Sequence, residues 1–179
     1  MTEINDNNSN LKPRIPRSLL ITGIISIIGT SSTILSSFQA LINGKPSAEE
    51  ITKSKLELAR SLEEVEKNNI QFLEDMIKNL QIMLDAMYQN FFFYSLVALL
   101  IAGLGLTGII LMLRRKELGF HFYIIYSLLY VAQSYLFVSP ANVPLFLVVS
   151  NLLISGIFVF IYSRSLKWFR QITSNSSNL

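Results

Sequence analysis

Residues 103–108 read GLGLTG, which matches the pattern G-x-G-x-x-G. A dinucleotide uses such a run only where a strand enters it and a helix leaves it. Here VALLIA precedes it and IILMLR follows, so the match lies in the middle of an apolar run. Its small residues do different work: Ala98, Ala102, Gly105 and Gly108 recur at three- and four-residue spacing and form a face that lets another helix approach closely. The first apolar run carries a similar face in Ser26, Thr30, Thr33 and Ser37, with Gly29 beside them, and the two faces are expected to pack together.

The remaining candidates for chemistry are few. The chain has no cysteine, which excludes a disulfide framework, a thiolate metal site and a thiol nucleophile. Its one histidine, His121, stands near the basic residues Arg114, Arg115 and Lys116 with only Glu117 as a neighbouring carboxylate, a poor setting for catalysis or metal binding. Tyr123, Tyr126 and Tyr130 share a helical face that Gln133 or Ser134 and Phe137 continue. Such a stripe either packs as core, with its hydroxyls paired to neighbouring helices, or cradles a lipid headgroup or a quinone-like ring. Gln133 and Asn151 suit hydrogen bonds between helices. No ionisable residue lies inside the apolar runs except His121 near an end, which argues against an ion-coupled transporter. No cofactor, metal, nucleic-acid or catalytic site is expected.

The elements that carry these residues are legible from where the charges fall. Hydrophobic residues make up 51% of the 179 and charged residues only 15%, against roughly 25% charged in soluble domains. The charges concentrate in the tails, in 45–85 and in 114–117, and the runs between them approach the ~20 residues that cross a bilayer as helix. Four spans are expected, at 18–43, 90–113, 119–138 and 144–163. The first is too long for the apolar part of a cleaved signal peptide. A cytoplasmic tail (1–17), a basic loop (114–118), a short outer turn (139–143, in SPANVP) and a second tail (164–179) complete the chain. Basic residues set the orientation. Lys12, Arg14 and Arg17, then Arg114, Arg115 and Lys116, then Arg164, Lys167 and Arg170 all fall on one side of a four-span protein, whereas 44–89 has six basic and nine acidic residues. Both termini are therefore expected in the cytoplasm. Lys167, Trp168 and Arg170, together with Arg114, Arg115 and Lys116, would meet lipid headgroups.

The outer segment, 44–89, begins with a punctuated start. Asn43-Gly44 stops the first helix, Pro46 keeps it from resuming, and Ser47-Ala48-Glu49-Glu50 is a capping box that opens a new one. From Ser47 to Ala102 no Gly or Pro intervenes, and Glu, Lys, Leu, Ala and Gln favour helix. Leu58, Leu62, Val65, Asn69, Phe72, Met76, Leu80, Met83 and Met87 trace a near-heptad stripe. One helix continuous with the second span, about 65 Å long from 47 to 89, is the leading expectation. A hairpin folded back near Asn68-Asn69 and a helix lying on the membrane are the alternatives. The stripe is the expected contact with another copy or with a partner.

RRKELGFHFYIIYSLLYV, with its basic cluster, Gly-aromatic step and Tyr-bearing span, resembles the middle of small uncharacterised bacterial four-pass membrane proteins, a resemblance that implies no activity. The expectation is thus an all-α integral membrane four-helix bundle with a long extramembrane helix, a possible coiled coil, in a bacterial inner (plasma) membrane. Its expected role is a non-enzymatic, oligomerising or scaffolding subunit in contact with membrane lipid. A channel or transporter subunit with an uncharged oligomeric pore is the alternative.

Overall fold

A computed structural model describes residues 15–164. Among them the chain is all-helical, with no strand: α1 (Arg17–Asn43), α2 (Ala48–Lys67), α3 (Gln71–Gln89), α4 (Phe91–Leu113), α5 (Leu118–Ala132) and α6 (Leu145–Arg164). Short 3-10 turns at Gln133–Leu136 and Pro140–Asn142 link α5 to α6. Three helices, α1, α4 and α6, are long and apolar enough to cross a membrane.

Local chemistry explains where the helices begin and end. Gly44 closes α1 at φ 79°, a conformation that costs glycine little, and its amide donates to the Ala40 carbonyl. The capping box then forms: Glu50 N donates to Ser47 Oγ at 3.2 Å, and Ser47 N donates to Glu50 Oε2 at 2.8 Å. At the other end of the bundle, α4 stops where Arg115 turns to φ 66°. The Arg115 and Lys116 amides donate back to the Met112 and Leu111 carbonyls, and α5 starts within three residues.

The single long outer helix is not what forms. It divides at Asn68-Asn69-Ile70, where Asn69 takes φ 53°. Asparagine tolerates the left-handed conformation better than other residues with a Cβ. α3 returns antiparallel along α2, and Lys55 Nζ meets Asp85 Oδ1 at 2.6 Å between the two arms. The folded-back alternative forms: an apolar stripe on one straight helix has no cover within the chain, whereas folding back half-buries most of it. Continuity with the second span is also interrupted. Asn90, at φ −108° and ψ 29°, breaks the helix, although Asn90 N→Ala86 O and Tyr94 N→Asn90 O bonds bracket it and keep α3 and α4 in close succession.

α4 is the central helix and packs along both α1 and α5. At the end away from the hairpin, Leu19, Ile109, Met112, Phe120, Tyr123 and Tyr162 form one buried cluster drawn from all four helices of the bundle. α6 is otherwise loosely held: of its twenty residues only Tyr162 is buried.

Candidate functional site

Two features stand out: the α2–α3 hairpin and a polar cavity at its end of the bundle. In the hairpin, Leu58, Leu62 and Val65 of α2 are half-buried, and so are Met76, Leu80, Met83 and Met87 of α3. Ile77, which the near-heptad count leaves out, is the one buried residue of the pair. Asn69 is exposed at the turn, so it holds no core position, and Phe72 beside it is 65% exposed. The expected stripe is therefore divided. Phe72 and Met76 border a small cavity with Pro144 of the α5–α6 link and Leu145 and Phe146 at the start of α6. Met83 and Met87 reach the end of the bundle. The hairpin surface is charged. Hydrogen bonding to Ser47 holds Glu50 below the usual carboxylate range. Lys78, bonded to Glu74 one turn away, is pushed up.

α4 packs along α1, as the pattern suggests, and two glycines of its small-residue face meet α5 as well. A Cβ on Gly105 would lie 2.7 Å from the Tyr126 ring, and one on Gly108 would lie 3.0 Å from the Gly119 carbonyl. The glycines thus face α5, where Gly119 supplies the matching gap. Between α1 and α4, a Cβ on Gly23 would lie 3.3 Å from the Leu113 side chain. Ala98 and Ala102 are buried and border the polar cavity.

That cavity, about 400 Å³, lies at the hairpin end of the bundle. α1 contributes Thr33, Ser36 and Ser37, α4 Tyr94, α5 Tyr126 and Tyr130, and α6 Asn151, with Gln133 and Ser134 from the 3-10 turn. Met83 of α3 closes it from above. A second space of about 290 Å³ continues deeper between α1, α5 and α6 and shares Thr33, Tyr126, Tyr130 and Asn151 with the first. Below it, Tyr162 Oη and Ser26 Oγ are 3.0 Å apart, and the Tyr123 and Tyr162 rings meet edge to face at 4.7 Å.

The Tyr stripe therefore divides its work. Tyr123 is buried core, while Tyr126 and Tyr130 border the cavity, as does Gln133, itself only 7% exposed. Gln133 and Asn151 border the same space, the Tyr94 hydroxyl pairs with Gln133, and no hydrogen bond joins the two amides. On α1 the Thr30 and Thr33 hydroxyls donate to carbonyls four residues earlier, which satisfies them within their own helix. Among the described residues, no Asp, Glu, Lys, Arg or His borders either space. Thr22 is buried as well, an extension of the hydroxyl face toward the core cluster that α-helical spacing from Ser26 could have indicated.

The cationic residues lie elsewhere. Arg114 and Lys116 are exposed and Arg115 half-buried in the tight α4–α5 link. His121 is exposed next to the Phe120 ring. Arg164 ends α6 with its guanidinium 5.3 Å from the Phe160 ring centre. Lys167, Trp168, Arg170 and both tails lie outside the described residues. Among the described residues, no three His, Asp or Glu side chains gather as a metal site would need. Protein-family models, curated proteins and solved structures contain no match to this chain.

Proposed function

We propose that the chain is a non-enzymatic, four-pass membrane protein that assembles with further copies of itself through its outer hairpin, as an oligomerising or scaffolding subunit. α5 and the 3-10 turn after it amount to fifteen and four residues, about 30 Å of helical rise, enough to serve as the third span. On this topology both termini face the cytoplasm of a bacterial cell and the hairpin stands outside the inner membrane, as the basic residues of the tails and of 114–116 favour.

The observation that carries the reading is the incompletely covered hairpin. Fold-back buries Ile77 alone and leaves Leu56, Ile70, Phe72 and Ile82 between 43% and 65% exposed in a segment that stands in water on this topology. Exposed acidic and basic residues alternate along α2, as in Glu49, Lys53, Glu57 and Arg60, so that the hairpin is self-complementary in charge, which suits a second copy. Deleting residues 50–85 and weighing the protein in nanodiscs tests this. A fall to the mass of one chain is the expected result, and unchanged stoichiometry overturns it.

A channel or transporter subunit is the second reading, favoured by the uncharged polar cavity. Reconstituted vesicles without flux of ions or small neutral solutes would remove it.

A further inference from the structure

We propose that the cavity under the hairpin is a binding site for one neutral glycerol-ester lipid of the diacylglycerol class. Its polar backbone would sit among Tyr130, Gln133 and Asn151, and its acyl chains would leave sideways between α1 and α6.

Three observations converge on this class. The first is the lining. Amides and phenols offer both donors and acceptors, which hydroxyl and ester groups can use. The Asn151 amide and the Tyr126 and Tyr130 hydroxyls border the space, and no hydrogen bond within the described residues engages them. Among the described residues, no cation faces the cavity. A phosphate placed there would be a desolvated, unpaired charge, so a phosphorylated head is disfavoured.

The second is the exit. α1 and α6 meet at the Ser26–Tyr162 end, and above that contact the deeper space is bordered by the apolar side chains Ile25, Ile154 and Phe158. Gly29, which borders that space on α1, has open space where a Cβ would stand. An amphiphile fits this combination of polar floor and apolar side opening; a water-soluble polyol uses only the floor.

The third is size and cover. The larger space falls within the roughly 300–1,000 Å³ of small-molecule sites. It extends into the second, and Met83 shields it from the hairpin side. The site is separate from the hairpin surface proposed for assembly, and either can fail without the other.

The experiment is native mass spectrometry of the full chain released from nanodiscs doped with dioleoylglycerol or, separately, with dioleoylphosphatidic acid. One dioleoylglycerol per chain should be retained, and phosphatidic acid with the same acyl chains should be retained at least roughly tenfold more weakly. The pair Asn151→Leu and Tyr130→Phe, which removes two polar groups from the space, should lower retention of dioleoylglycerol roughly tenfold, while Gly156→Ala leaves it unchanged. Equal retention of both lipids, equal retention by the native chain and the double variant, or no retention of dioleoylglycerol overturns the proposal. The two-lipid comparison uses the native chain, so it decides the matter even where the double variant does not fold.

Discussion

α4 and α5 cross as backbones; α1 and α6 meet as side chains. At the first crossing a Cβ on Gly119 would fall 2.5 Å from both the Gly108 carbonyl and the Met112 amide nitrogen, so nothing larger than hydrogen fits. At the second, Ser26 and Tyr162 join hydroxyls at one end, and beyond that point the helices leave room for a cavity. Close approach excludes solvent and ligand alike, whereas a contact made by one long side chain holds two helices apart and creates an interior. A small bundle thus gains a rigid pair and a compartment by spending glycine in one place and tyrosine in another.

The contrast can be broken at its tight side first. Gly119→Val should destabilise the bundle by about 3 kcal/mol or more, because the clash is with backbone that cannot rotate away. Thermal unfolding in detergent reads this, with Gly156→Ala, in open space, expected within about 0.5 kcal/mol of the native chain. The loose side comes next. Tyr162→Ala should cost about 3 kcal/mol through the cavity left in the core cluster. Tyr162→Phe should cost only about 1 kcal/mol by removing the bond to Ser26, and equal effects of the two changes would show that the ring does not hold α6 in place. The smallest effect belongs to the hairpin. Lys55 and Asp85 are both about half exposed, so Lys55→Gln should change hairpin protection in hydrogen exchange by less than about 1 kcal/mol, and the change should shrink as salt is raised.

Much of this was legible because it is local or compositional. The three apolar helices follow from runs without charge, and the start of α2 follows from four residues, Ser47 to Glu50. The break at Asn69 was harder to place. The α2–α3 join contains no Gly or Pro, and a straight helix and a hairpin share the same stripe; only the Asn68-Asn69 pair marked the turn as an option. The partner of Gly105 and Gly108 was not legible for a different reason. A small-residue face tells how near a neighbour comes and says nothing of which neighbour it is. Gly119 stands first in the expected third span, and nothing marks it as a packing glycine until α4 and α5 are seen to cross there. The cavity lay further from reach, since its lining is drawn from α1, α3, α4, α5, α6 and a 3-10 turn, and no spacing within one helix encodes that meeting.

The feet of the hairpin are unequal. α3 stands on α4 with Asn90 alone between them, while four residues that include Gly44 separate α2 from α1. A push on the tip is therefore transmitted like torque through a crank on one side and absorbed as slack on the other. The tip thus has a short path into α4, the helix that carries the Ala98–Ala102 wall of the chamber, and a slacker one into α1.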